Sequence, residues 1–208
     1  MYVAGRAHWK ITLDDPKVLR VALYIREIGA LTPPTNPEIP LLEPGTDVWP
    51  VWARPRSVER PLTLSREERG SASIGWVRWW NHLLAVGATA WGELTDPRLT
   101  PFTATPELRR LLSHHLADAM EWATATADDP RFWRDLRAPG ARLRSLVDGM
   151  EQERGRMARP FSLRVTTIPV AGKRVWRLGD DHLLVTHTLL HDDEIMVDWL
   201  RSVVRDLM

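Results

Sequence analysis

Apolar residues follow a helical period most densely over residues 74–94. They recur every three or four positions in two adjacent stripes, and the first stripe is Val77, Trp80, Leu84, Trp91 and Leu94. The second stripe is Trp76, Trp79, Leu83, Val86 and Ala90. Together they form an apolar face wider than the arc of about 100° that is typical of a surface helix. The pattern therefore predicts one helix over 74–94 that is buried on most of its circumference, with the other elements packed around it.

Capping residues mark the starts of further helices. An Asp-Pro pair at 15–16 precedes an apolar-periodic stretch that ends near residue 28, and a Thr-Pro pair at 105–106 precedes one that ends near residue 127. Proline is favoured in the first turn of a helix, directly after the capping residue. Ser65 and Glu68 have the spacing of a capping box, which predicts a helix start upstream of the tryptophan stripes. Two shorter helical stretches are expected between 130 and 155.

The segment 31–61 holds eight of the sixteen prolines. No regular helix or central strand tolerates that density, because proline lacks a backbone N–H and fixes φ. Apolar residues are interspersed with the prolines, so we expect the segment to lie extended over the domain, pinned by Trp49 and Trp52. The alternative is that these tryptophans project from the segment and dock onto a partner, as proline-rich segments can.

From Phe161 the period changes from 3.6 to 2, which is typical of strands. The predicted strands are 161–166, 175–178 and 183–190, with a turn at 179–181 and a final helix capped by Asp192 or Asp193. Weak alternation over 2–13 indicates another possible strand. We therefore predict a single α+β domain over 1–208: a mainly helical body around the Trp-rich helix, then an antiparallel β-meander of about three strands and a closing C-terminal helix.

The composition limits the classes of protein to consider. The chain has no cysteine, which excludes disulfides, thiolate metal sites and cysteine nucleophiles. It has no apolar run of about 18 residues and no secretory signal pattern at its N-terminus, so we expect no membrane span and a cytoplasmic location. The chain carries 28 Lys and Arg residues, of which only three are Lys. That skew is typical of a GC-rich bacterial genome.

Charge is unevenly distributed, although the net charge is only +1. The window 131–164 contains nine arginines against four acidic residues. A basic patch there would consist of Arg137, Arg144, Arg154, Arg156 and Arg159. Clustered arginines are the electrostatic signature of phosphate binding, so a nucleic-acid-binding function is one alternative. An acidic protein partner explains the same charge.

Histidines and carboxylates near the C-terminus have the composition of a metal site. His187 and His191 share one parity of the predicted third strand, and Asp192 follows them directly. His182 points to the opposite face of that strand. A metal-dependent enzyme with a site at His187, His191 and Asp192 is therefore a second alternative, against a structural role for His187 in the core.

A histidine pair occupies the middle of the predicted helix over 106–127. Asp118 lies four residues after His114, and His115 falls on the inner apolar stripe. A carboxylate one turn away can orient an imidazole as a general base. The same spacing is more often a surface pair that stabilises the helix. His114, His115 and Asp118 are the catalytic candidates for acid–base chemistry.

The leading functional hypothesis rests on the tryptophans. The chain has eleven Trp against three Phe and two Tyr, and it lacks the nucleophile-elbow and phosphate-loop motifs. Tryptophan is enriched in cores and at interfaces. We therefore predict a non-enzymatic protein without a cofactor that acts through protein–protein contacts, with a partner or with its own copy. Trp49, Trp52 and Trp91 are the predicted contact residues.

Overall fold

The structure, a computed structural model, describes residues 2–6, 9–35, 38–43, 45–47, 62–127, 144–190 and 192–207. Four residues singled out above lie outside these ranges: Trp49, Trp52, Arg137 and His191. The strands are β1 (Tyr2–Arg6), β2 (Trp9–Asp14), β3 (Phe161–Ile168), β4 (Val175–Arg177) and β5 (His182–Thr186). The helices are α1 (Lys17–Ile28), α2 (Arg66–Val86), α3 (Trp91–Leu94), α4 (Pro106–Ala127), α5 (144–154), α6 (His187–Leu190) and α7 (Asp193–Leu207). Short 3-10 turns occur at Gly87–Ala90 and Thr100–Phe102.

The chain forms two compact units. The sheet unit consists of Met1–Asp15 and Pro130–Met208, and the helical unit consists of Pro16–Asp129. Helices and strands are thus largely segregated, which confirms the predicted α+β class. The prediction of a single domain stays a prediction, because compactness of the units does not decide whether they unfold together.

The sheet is mixed and has the strand order β1-β2-β3-β5-β4. The three inner strands β2, β3 and β5 are parallel, whereas β1 and β4 are antiparallel to their neighbours. The predicted antiparallel meander is therefore wrong, although the β4–β5 hairpin exists. After β3 the chain passes the end of β5, where the backbone N–H of Arg174 donates to Thr186 Oγ1 at 3.0 Å. It then forms β4 at the edge of the sheet. This route inserts β5 between β3 and β4.

The core of the sheet unit lies on one face of the three parallel strands. The cross-strand register aligns Leu13 with Val165 and Val165 with Leu183. Helices α5 and α7 contribute the other buried side chains of this cluster, among them Val147, Met150, Met196, Leu200 and Val204. One apolar face of α7 thus packs against one face of the sheet. These are the faces that the 3.6-residue period of a helix and the 2-residue period of a strand define.

The tryptophan-rich helix has different limits from those predicted. Helix α2 begins after Ser65, whose side chain accepts from Glu68 N while Glu68 accepts from Ser65 N, so the capping box is confirmed. The helix ends at Val86 because Gly87 has a φ of +62°, outside the helical region. The prediction of one helix over 74–94 is therefore wrong, and a 3-10 turn and the short α3 complete that stretch.

Burial on α2 is confined to one face. Trp76, Trp79, Trp80 and Leu83 are buried, whereas Val77 and Leu84 are half-buried and Ile74 is 53% exposed. The prediction of burial around most of the circumference is wrong, because the first stripe faces solvent in part at Val77 and Leu84. The most continuously buried helix is α1, in which every residue from 18 to 26 is buried.

Helix α1 anchors part of the proline-rich segment. The Arg26 guanidinium donates to the backbone oxygens of Ile39 at 2.8 Å and Pro40 at 2.5 Å, and Leu42 N donates to Glu27 Oε2 at 2.9 Å. Leu42 itself is buried. Residues 38–42 thus lie along α1, held by two charged side chains. The predicted anchors Trp49 and Trp52 are outside the described residues.

Replacing Ala30 with glycine is expected to raise the free energy of unfolding by about 0.5–1 kcal/mol. Helix α1 closes in a Schellman motif, with bonds from Leu31 N to Arg26 O at 2.9 Å and from Ala30 N to Glu27 O at 3.0 Å. This motif places Ala30 at a φ of 46°, a left-handed conformation that glycine adopts without steric cost. Urea denaturation measures the change.

The matched control for that substitution is Ala85→Gly, at an exposed position within α2. There the backbone is helical, so glycine should lower the free energy of unfolding by about 0.5–1 kcal/mol. A loss of stability in both variants would contradict the assignment of strain to Ala30.

Candidate ligand-binding cleft

A cleft with a volume of ≈ 450 Å³ opens in the helical unit. It lies among α2, α3, the 3-10 turn at Thr100–Phe102 and the start of α4. Its lining residues are Gly75, Arg78, Trp79, His82, Glu93, Pro101, Phe102, Ala104 and Thr105. The volume falls within the range of roughly 300–1,000 Å³ that is typical of small-molecule sites.

The buried part of this cleft is aromatic. The rings of Trp79 and Phe102 meet edge to face, with centroids 5.3 Å apart and planes at 85°, and both side chains are buried. Gly75 permits a close approach here, because a Cβ at that position would lie 2.9 Å from Thr105 Cγ2. The cleft therefore has a fixed apolar wall set by packing between α2 and the start of α4.

Charged side chains form the rim. His82 Nε2 lies 2.8 Å from Glu93 Oε1, and the two side chains are 46% and 34% exposed. The break at Gly87 makes this contact possible, because the chain leaves α2 there and returns Glu93 on α3 towards the end of α2. Arg78 is exposed and makes no hydrogen bond or ion pair with the residues that the structure describes.

The indole N–H of Trp79 is buried. Its Nε1 finds no hydrogen-bond acceptor among the described residues, although the side chain is only 5% exposed. The neighbouring Trp76, by contrast, donates from Nε1 to Ala22 O at 2.7 Å. A buried donor without an acceptor costs about 1–3 kcal/mol, and such groups in native proteins call for an explanation such as a water or a ligand.

Sequence reasoning missed this cleft. It assigned Trp79 to an apolar stripe and gave Arg78 and His82 no role. The useful signal was the glycine at 87, because a glycine after a long helical stretch can end the helix and bring later residues back to it.

The structure describes one of the three predicted contact tryptophans. Trp91 is half-buried and lines a second cleft of ≈ 290 Å³, together with Lys17, Val18, Ala88 and Thr124. Trp49 and Trp52 lie outside the described residues. A joint contact surface of the three tryptophans stays a prediction.

The three acid–base candidates lie on α4 and differ in burial. His115 and Asp118 are buried, whereas His114 is exposed, and the two imidazole rings are 4.5 Å apart. Burial lowers the pKa of His115, and the neighbouring His114 acts in the same direction. Burial and the Asp118 carboxylate raise the pKa of Tyr24 on α1 to about 12. Only Asp118 is thus shown to interact with a group on α1, Tyr24, and none of the three candidates lines the aromatic cleft.

The two metal candidates that the structure describes, His187 and Asp192, have different partners. Strand β5 ends at Thr186, so His187 begins α6, and the strand parity assigned to it is wrong. The buried His187 has its Nε2 3.6 Å from Asp15 Oδ1, whereas Asp192 pairs with Lys173. Within the described ranges, no three His, Asp or Glu side chains form a group that could hold a metal ion.

His182 bonds inside the sheet unit. Its Nε2 lies 2.9 Å from Thr166 Oγ1. Burial lowers the pKa of His182, and the nearby Arg164 guanidinium lowers it further. The imidazole therefore serves as a hydrogen-bonding partner of the neighbouring strand.

The predicted basic residues are at the surface where the structure describes them. Arg144, Arg154, Arg156 and Arg159 are exposed, and Arg137 is outside the described residues. Exposure is compatible with a nucleic-acid contact and equally with ordinary solvation. The nucleic-acid hypothesis stays a prediction.

Comparisons with known proteins identify no relative. The chain matches no protein family, no curated protein and no solved structure. Among the described helices, none is both long and apolar enough to cross a membrane.

Proposed function

We propose that the protein acts by binding a small organic molecule in the aromatic cleft. The observation that carries this proposal is a cleft of ligand size, ≈ 450 Å³, whose buried wall includes the rings of Trp79 and Phe102. The rings of Trp79 and Phe102 offer an apolar wall to a planar molecule, with polar groups at the rim to fix its orientation.

Contact with a partner protein or with a second copy of this chain is a further proposal. It is favoured by Trp91, a half-buried tryptophan at the edge of the second cleft, because tryptophans of this kind are enriched at interfaces. Light scattering of the purified protein tests whether the chain self-associates. A monomeric mass at all concentrations would exclude contact with a second copy of this chain.

Filling the cleft is expected to abolish ligand binding. Ala104 is an exposed lining residue, so Ala104→Trp places a bulky ring in the cleft without disturbing the buried side chains. The probes are indole, phenylacetamide and phenylacetate, and the signal is the Trp79 indole N–H resonance in ¹⁵N-labelled protein. Trp79→Phe assigns that resonance by removing it.

The matched control is Ala85→Trp, because Ala85 is exposed on α2 and does not line the cleft. We expect at least one probe to shift the Trp79 resonance in the wild type and in Ala85→Trp, but not in Ala104→Trp. Failure of all three probes to move the resonance would overturn the proposal. So would a shift that persists unchanged in Ala104→Trp.

A further inference from the structure

We infer that the ligand of the aromatic cleft is a small aryl carboxylate, whose carboxylate group is bound by Arg78. The inference rests on the proposed function, because it assigns a chemical class to the molecule that occupies the cleft. It depends on three features of the cleft: the absence of a described partner for Arg78, the pairing of Glu93 with His82, and the aromatic wall of Trp79 and Phe102.

Arg78 differs from three of the other arginines on α2 and α4, whereas Arg66, which does not line the cleft, likewise has no acceptor among the described residues. Arg69 donates to Leu64 O at 2.9 Å, Arg109 donates to Arg98 O at 2.6 Å, and Arg110 pairs with Glu68 at 2.7 Å. Arg78 has no such acceptor among the described residues, and it lines the cleft. Its planar guanidinium matches a carboxylate through two parallel hydrogen bonds.

The carboxylate at the rim is already engaged. Glu93 lies 2.8 Å from His82 through Oε1, and no ion pair links it to Arg78. The His82–Glu93 contact therefore leaves the positive charge of Arg78 available at the cleft. A ligand anion is the partner that such a charge selects, since charge-assisted hydrogen bonds are the strong ones.

The aromatic wall determines the rest of the ligand. Trp79 is the residue next to Arg78 on α2, and both line the cleft. A flat ring beside Trp79 and Phe102 would bury apolar surface against both side chains. An aryl group joined to a carboxylate would contact this wall and Arg78 together within ≈ 450 Å³.

The test compares phenylacetate with its neutral counterpart phenylacetamide, by titration of the Trp79 indole N–H resonance. We expect phenylacetate to bind the wild type at least about tenfold more tightly, since one charge-assisted pair contributes that much. Arg78→Gln should remove this preference. Arg66→Gln should retain it, because Arg66 is an exposed arginine on the same helix that does not line the cleft.

Each other outcome overturns the inference in a recognisable way. Equal binding of the two probes, blocked by Ala104→Trp, would reject the carboxylate and leave the proposed function in place. Binding of neither probe would reject both. Retention of the preference in Arg78→Gln would reject Arg78 as its source. Tighter binding of the tripeptide acetyl-Gly-Gly-Phe than of phenylacetate would assign the site to a chain terminus and not to a free small molecule.

Discussion

Replacing Trp76 with alanine is expected to lower the free energy of unfolding by about 3–5 kcal/mol, as large-to-small changes of a buried tryptophan do. The side chain is fully buried, and its ring stacks on Trp80 with centroids 5.1 Å apart. Its Nε1 donates to Ala22 O on α1 at 2.7 Å. The Arg26 guanidinium lies 5.8 Å from the centre of the same ring. Alanine would remove all these contacts and leave a cavity between α1 and α2.

Urea denaturation followed by circular dichroism measures this loss, with Trp91→Ala as the control. Trp91 is also a tryptophan of the helical unit, but it is only half-buried. We expect its replacement to cost about 1–2 kcal/mol, because less apolar area returns to water. Trp76→Phe should fall between the two, since it keeps an aromatic ring and loses the hydrogen bond. Equal losses for Trp76→Ala and Trp91→Ala would contradict the packing described for α2.

The elements of the helical unit could be predicted from the sequence because their signals are local. The capping pair Ser65 and Glu68 places the start of α2, and the prolines at 16 and 106 place the starts of α1 and α4 within one residue. Capping and first-turn preferences act over three or four residues, so a single sequence contains them. The end of α2 at Gly87 was missed because glycine within an apolar pattern is compatible with either a helix or its end.

The order of the strands could not be predicted in the same way. Alternation identifies a strand, but the choice of its neighbour depends on residues far away in the chain. The run Leu183-Leu184-Val185 is buried at every position, and continuous burial is typical of an inner parallel strand. That run was the available sign against a meander, in which one face is usually open to water.

The candidate cleft could not be predicted from the sequence for a related reason. His82 and Glu93 are eleven residues apart, and only the break after α2 brings them to 2.8 Å. An unpaired indole N–H is a property of packing and not of residue type, since Trp76 and Trp79 look alike in the sequence and differ in their hydrogen bonds. Such a site becomes visible only when every buried donor is matched with its acceptor.

Replacing Arg26 with methionine is expected to lower the free energy of unfolding by about 3 kcal/mol and to expose residues 38–42 to proteases. Arg26 is 3% exposed and donates to Ile39 O and Pro40 O. Burial lowers the pKa of its guanidinium, while Glu27 and Glu38 raise it, so the buried charge is compensated by neighbours. Methionine keeps most of the apolar stem beside Trp76 but offers no donor to the two carbonyl oxygens.

Urea denaturation and limited proteolysis of the native protein measure the two effects separately. Arg26→Lys should be intermediate, because one ammonium group keeps the charge but lacks the planar fork that reaches two acceptors. Glu27→Gln is the matched control: its side-chain oxygen can still accept from Leu42 N, so stability should change by about 1 kcal/mol or less. Wild-type stability together with wild-type resistance to proteolysis in Arg26→Met would show that the two hydrogen bonds contribute nothing measurable, and that apolar packing alone holds residues 38–42 on α1.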